Sequence, residues 1–186
     1  MRLNKYISSA GLCSRREADA WIERGRVTVN GRRADLGTQV SETDQVRVNG
    51  RPIVVRRKNH IYIALNKPPG ITCTTDRHVD GNIIDFIKHE TRIFPIGRLD
   101  KESEGLILLT SDGDIVNKIL RAEHHNEKEY VVTVDRPITD EILASLGRGL
   151  RLPELNVTTR RCKTGRISAR TFRITLVQGL NRQIRR

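Results

Sequence analysis

Two short stretches constrain the fold of this chain more than any others: "RVTVNG" at 26–31 and "QVRVNG" at 45–50. In each, valines alternate with polar residues at the period of a half-buried strand. Each then closes on Asn-Gly, the pair that tolerates the positive φ of a tight hairpin turn. Both are expected to be short strands running into hairpins. The likeness is one of turn chemistry and does not establish a longer internal repeat.

Upstream, "LNKYISSAG" sets Leu3, Ile7 and Ala10 on one side of a short helix ending near Gly11. In "SRREADAWIERG", Ser14 and Glu17 have the spacing of a capping box, Ala18, Trp21 and Ile22 supply an apolar stripe, and Gly25 supplies the stop. A helix pair packed on short strands is thus predicted for the first quarter of the chain.

Charge says what such a unit would meet. The 186 residues carry a formal net charge of +12 and one Trp, a balance that favours polyanionic partners over acidic proteins or neutral metabolites. Residues 1–58 hold 13 Lys or Arg against 6 Asp or Glu, so the smaller part is the more densely basic. Arg2, Lys5, Arg15, Arg16, Arg24, Arg26, Arg32 and Arg33 are candidates to face a phosphate backbone, with a solvated basic surface as the plain alternative.

The start of the chain turns polar and helical too soon for a signal peptide, and no run of 18 apolar residues occurs. A soluble, cytoplasmic protein without a membrane partner is expected. Cys13, Cys73 and Cys162 form no close pair, which argues against a disulfide framework or a cysteine-rich zinc cluster and for structural or incidental roles.

"VVRRKNH" marks a polar junction, and a domain boundary is placed near residue 58. Beyond it a buried strand in "IYIALNKPPG" enters a Pro-Pro-Gly turn. Helices follow around 82–89, 114–121 and 139–146, with strands at 106–110, "YVVTV" and "TFRITLVQG". This is α+β material rather than a regular βαβ series. The stretch "RLPELNVTTRRCKTGRISARTF" at 151–172 is weakly patterned, as a compressed or missing loop would leave it.

Within this part, "GRLDKESEG" at 97–105 puts one acid, Asp100, immediately before the apolar "LILLT". Alone, Asp100 reads as a turn residue preparing the strand. Its setting adds to that: Arg98 and Lys101 flank it, and Gly97 and Gly105 permit close backbone paths. A carboxylate kept ionised by cations can act as a nucleophile or stabilise positive charge developing on a sugar, and composition does not choose between those jobs. Neither Glu102 nor Glu104 has a claim to pair with it as a general acid; both are expected in solvent.

Taken in order, "RLNKYISSAGLCSRREADAWIERGRVTVNGRRADLGTQV" resembles an S4 RNA-binding domain over roughly residues 2–50. "ALNKPPG", "FPIGRLDKESEGLILLTSDGD", "KEY" and "GLNRQIRR" resemble a bacterial ribosomal RNA pseudouridine synthase of the branch that carries such a domain. The resemblance implies an α+β fold: an S4-like domain at 1–58, then a catalytic domain at 59–186 built on a mixed, largely antiparallel sheet. Because the family pattern continues past "NRQIRR" with a further helix and closing strands, that domain is expected to lack its C-terminal part.

The family detaches uracil at the N1–C1′ bond and rejoins it through C5 without a metal or organic cofactor. The resemblance assigns the essential aspartate to Asp100, an aromatic face and phenol at the base to Tyr130, the arginine that pairs with the acid to Arg185, and an apolar contact with the base to Ile184. Arg98 becomes a candidate to hold the flipped nucleotide or fill the space it leaves, and Lys67 a candidate contact at the cleft, with an exposed turn as its alternative. A 23S rRNA uridine is the implied substrate, with a tRNA anticodon stem-loop left open as a second, acted on by a monomer.

Other chemistries fare worse. His125 and Glu127 formally make H-x-E, but no P-C-x-x-C accompanies them, so a zinc deaminase is not expected; adjacent His124 and His125 lack the partners of a metal site. Neither a phosphate-binding loop nor a dinucleotide fingerprint is present. The serious rival is a non-catalytic RNA-binding or ribosome-assembly protein. Turnover separates it from the enzyme; binding does not.

Overall fold

The structure, a computed structural model, describes residues 1–54, 59–120 and 126–186. The expected boundary near residue 58 lies outside these residues, as do His124 and His125.

Helices α1 (Leu3–Ser9) and α2 (Arg15–Glu23) open the chain. The capping box forms as predicted: the Glu17 amide donates to Ser14 Oγ at 3.1 Å and the Ser14 amide donates to Glu17 Oε2 at 2.7 Å. The Ser14 amide, and after it the Ser14 hydroxyl, hold the Glu17 carboxyl below its ordinary value. Four short strands follow, β1 (Val27–Val29), β2 (Arg32–Arg33), β3 (Val46–Val48) and β4 (Arg51–Pro52), in the order β2-β1-β3-β4.

Both Asn-Gly pairs sit at the turns with positive φ at each residue, 50° and 79° at Asn30-Gly31 and 49° and 78° at Asn49-Gly50, the geometry of the tightest hairpins. The two hairpins join through antiparallel β1 and β3, with Val27 opposite Val48 and Val29 opposite Val46. That register turns Val27, Val46 and Val48 onto Leu3, Ile7, Ala18 and Ile22 of the helices, and Cys13 fills the same core. Burial pushes the Cys13 thiol up to about 11, as suits a packing residue.

Next come β5 (Tyr62–Lys67), α3 (Ile83–Ile87), β6 (Phe94–Ile96), β7 (Gly105–Thr110) and α4 (Gly113–Leu120). Strands β5 and β6 flank β7 in an antiparallel sheet. Ile107 and Leu109 of β7 pack with Ile83 and Ile93, whereas Leu106, their neighbour on the opposite face, is 69% exposed. The "LILLT" run therefore anchors to the core through alternate residues.

The last elements are β8 (Lys128–Thr133), α5 (Asp140–Arg148), β9 (Arg151–Leu152), β10 (Val157–Thr158), β11 (Lys163–Arg166) and β12 (Thr171–Leu176). A second antiparallel sheet runs β11-β12-β8, covered by α5, with Ile138, Leu143, Phe172, Ile174 and Leu176 as its core. The weakly patterned stretch at 151–172 is ordered into the β9–β10 hairpin, the edge strand β11 and the start of β12. The mixed, largely antiparallel sheet thus appears as antiparallel units, with a parallel bridge at Thr72–Asn82. Lys5 Nζ on α1 reaches Asp114 Oδ1 on α4 at 2.6 Å, tying the N-terminal unit to the rest.

Candidate active site

Strand β5 ends at Lys67, and its side chain goes inward. It is fully buried, and Nζ donates to the carbonyls of Pro68 at 2.8 Å, Ile71 at 2.9 Å and Lys101 at 3.1 Å. Three donors meeting three acceptors make a buried ammonium tolerable. Neither a cleft contact nor an exposed turn describes it: with no accessible surface, Lys67 cannot touch RNA. It ties the Pro-Pro-Gly turn to the residue that follows Asp100.

The loop around Asp100 is held on both sides. The Leu99 amide donates to Cys73 Sγ at 3.4 Å, and the Lys101 carbonyl accepts from the Gly70 amide at 2.8 Å as well as from Lys67. Gly97 at φ 85° and Gly105 at φ 118° make the bends into and out of the loop, conformations that a side chain would disfavour. Within it the Ser103 amide donates to the Asp100 carbonyl at 3.0 Å, so Asp100 is a turn residue as well as a candidate catalyst.

Arg185 closes the site from the far end of the sequence. Its Nε donates to Asp100 Oδ2 at 3.0 Å, and its Nη2 to Ser103 Oγ at 3.2 Å. Asp100 Oδ1 carries no hydrogen bond among the described residues. The carboxylate is half-buried, with a counter-charge on one oxygen and an unengaged acceptor on the other. A turn beyond β12 aims the arginine: Leu180 donates to Gln183 Oε1 at 3.2 Å, and the Arg185 amide to the Arg182 carbonyl at 2.9 Å.

Ile184 packs against the Phe172, Ile174 and Leu176 cluster. Tyr130 on β8 stands directly opposite Ile174, hence on the same face of that sheet, and is 37% exposed. Ile184 and Arg185 thus lead from the sheet that carries Tyr130 to the loop that carries Asp100. No hydrogen bond joins Tyr130 to Asp100 among the described residues.

Arg98 is exposed and without an ion pair among the described residues, which leaves its guanidinium available. On the N-terminal unit Arg2, Arg15, Arg16, Arg24, Arg26 and Arg32 are likewise exposed and unpaired. Arg33 is exposed but gives Nη2 to the Glu23 carbonyl at 3.1 Å. Lys5 differs from these, being engaged by Asp114. Arg186, next to Arg185, pairs with Glu154.

Two participants went unrecognised in the sequence, Ser103 and Cys73. The Ser103 spacing to Asp100 is that of a turn, but nothing local signals that Arg185 will reach it.

The chain matches the family model described as RNA pseudouridylate synthase over residues 61–186, and that of the S4 domain over residues 1–46. The chain belongs to the RNA pseudouridylate synthase family. A protein named dual-specificity RNA pseudouridine synthase RluF, from Salmonella typhi, is 59% identical over 186 residues, covering 100% of this chain and 64% of the relative. The protein of the same name from Escherichia coli K12 is 56% identical over 187 residues, with the same coverage. The ribosomal large subunit pseudouridine synthase B of Bacillus subtilis is 37% identical over 192 residues, covering 100% of this chain and 78% of the relative.

A solved structure described as a crystal structure of pseudouridylate synthase superposes with a TM-score of 0.62 at 27% identity, covering 99% of this chain and 80% of the other. Within the family the chain is similar to the RluF relatives, carries the S4 domain, and spans 64% of those relatives' length.

Proposed function

We propose that the protein isomerises a uridine of large-subunit (23S) ribosomal RNA to pseudouridine, acting as a cytoplasmic monomer, with a tRNA anticodon stem-loop as a second substrate. The ribosomal target is supported by the name of the Bacillus subtilis relative, and a second RNA substrate by the dual specificity in the names of the RluF relatives.

The observation that carries the reading is Asp100: one carboxylate oxygen is held by Arg185 and the other is unengaged among the described residues, on a loop pinned from both sides. The reaction breaks N1–C1′, turns the uracil and forms C5–C1′; C5 gives up a proton and N1 ends with one. Asp100 Oδ1 serves either attack at C1′ or stabilisation of positive charge on the sugar. Both require the nucleotide to leave its stack, and flipping exposes the bond to the acid. Arg98, exposed on the loop, contacts the flipped nucleotide or the space it vacates, Tyr130 stacks on uracil and handles the C5 proton, and Ile184 packs against the base. The unpaired arginines of the S4 unit hold RNA by shape and phosphate contact.

The test is pseudouridine mapping on 23S rRNA and tRNA treated with full-length wild-type protein and with Asp100→Asn. Wild-type protein is expected to produce pseudouridine, and the variant to lose about 1,000-fold or more in rate, the scale of losing an essential catalytic group, while RNA affinity stays. RNA binding without product from the wild type would establish the non-catalytic alternative.

A further inference from the structure

We infer that Ser103 is a positioning residue for this reaction: its hydroxyl takes one donor of Arg185 and so keeps the arginine from closing over both oxygens of Asp100. The inference rests on the reading of Asp100 as the catalytic carboxylate.

Nε and Nη2 lie on the same edge of the planar guanidinium, and that edge matches the two oxygens of a carboxylate, so a free Arg–Asp pair tends to become bidentate. Here the edge is divided. Nε goes to Asp100 Oδ2 at 3.0 Å and Nη2 to Ser103 Oγ at 3.2 Å. The division leaves Oδ1 without a hydrogen bond among the described residues, although its natural partner is on the same arginine.

Ser103 is in a position to do this because of its place in the turn. Its amide donates to the Asp100 carbonyl at 3.0 Å, fixing the hydroxyl relative to the acid. The next carbonyl along, that of Lys101, is held by the buried Lys67 ammonium and by the Gly70 amide. Glu102 and Glu104, the carboxylates on either side of Ser103, are exposed and make no ion pair with Arg185, so the serine is the competing acceptor within the loop. Without its hydroxyl, Nη2 is released toward Oδ1, and substrate must displace a charge-assisted hydrogen bond before the acid can act.

The effect is specific to the chemical step. RNA reaches the protein through other groups, so affinity is unaffected while the rate of the bound complex falls. Single-turnover pseudouridine formation with saturating full-length enzyme, alongside RNA binding, reads both. Ser103→Ala is expected to slow the single-turnover rate about tenfold, the loss of one hydrogen bond to a charged group, with RNA affinity within about twofold. Ser103→Thr keeps the hydroxyl and is expected to stay within about threefold of wild type, a few tenths of a hydrogen bond.

In an Arg185→Lys background, which lacks the second donor on the shared edge, Ser103→Ala is expected to add less than about twofold, the non-additivity of residues that act together. An alanine variant at the wild-type rate overturns the inference. So does an equal loss in the alanine and threonine variants, or a full tenfold loss in the lysine background. Should the alanine variant fail to fold, the threonine variant in the two backgrounds decides: near-wild-type rate beside Arg185 supports the role, and a large loss there refutes it. Absence of product from the wild type overturns the enzymatic reading itself, and is thereby distinct from an active wild type that ignores Ser103.

Discussion

Among the described residues, Arg2, Arg15, Arg16, Arg24, Arg26 and Arg32 of the N-terminal unit stand in solvent without ion-pair partners, whereas Asp100 is engaged by an arginine 85 residues away, on a loop also tied to residues 34 and 26 positions upstream. The caps and turns of the first region are made by neighbours in sequence: a capping box between Ser14 and Glu17 and two Asn-Gly turns. Its proposed task, holding a polyanion, is shared among many side chains. The second is built from distant segments meeting at one carboxylate, and its task depends on which atom faces which. A region assembled locally should lose stability in small steps and function gradually. One assembled from afar should lose both together.

Lys67→Met offers the largest break in that comparison among changes outside the reacting groups. The carbonyls of Pro68 and Ile71 lose their donor, and that of Lys101 keeps only Gly70. At about 1–3 kcal/mol per buried acceptor left unpaired, offset by no longer burying a charge, stability is expected to fall by about 3 kcal/mol. Urea unfolding of the full-length protein reads it, and turnover should fall even where the variant remains folded. A stable variant with wild-type turnover would show that the loop around Asp100 does not depend on this ammonium.

Ser14→Ala is the local counterpart and a smaller one. Removing the hydroxyl exposes the α2 amide that it caps, and helix caps of this kind contribute about 1 kcal/mol. The melting temperature should drop while single-turnover rate at saturating RNA is unchanged. The pH dependence has a definite sign. Glu17 is held below its ordinary value of 4.5 in the folded protein, so the stability it contributes is present above that value and is lost as pH falls through the lower, folded one. The wild type should therefore lose more stability than Ser14→Ala between neutral pH and acid, with the difference developing below about 4.5.

The same contrast explains how much could be read from the residues alone. The helix pair, its capping box, the Asn-Gly turns and the strands at 106–110 and 171–176 follow from periods and caps a few residues long. Strand β6 was missed because Pro95 argues against a strand; it is tolerated there because β6 is an edge. Strand β11, "KTGR", has no apolar alternation, and its register is imposed by β12. The family resemblance assigns Asp100, Tyr130, Ile184 and Arg185 to the site, and the structure joins Asp100 to Arg185 in a hydrogen bond. Lys67, which the resemblance implies as a cleft contact with an exposed turn as the alternative, is instead buried, because the fold brings the distant Lys101 carbonyl to join those of Pro68 and Ile71 around its ammonium. Ser103 was passed over for the same reason, its partner lying 82 residues away.

The smallest effect is expected where the two regions touch. Lys5 belongs to the basic unit, but its ammonium is 2.6 Å from Asp114 on α4, with both side chains partly in solvent. An exposed pair of this kind is worth roughly 0–1 kcal/mol, so RNA phosphate can compete for the lysine at little cost. Asp114→Ala removes the competitor and one negative charge. RNA affinity is expected to rise by no more than about twofold at moderate salt, and the dependence of log affinity on log salt to steepen by up to about 0.7–0.9 if Lys5 then meets a phosphate. Single-turnover rate should not change, because neither residue contacts the loop at 97–105. A large fall in turnover would instead mean that the pair aligns the RNA held by one region with the acid of the other, making the two regions one device.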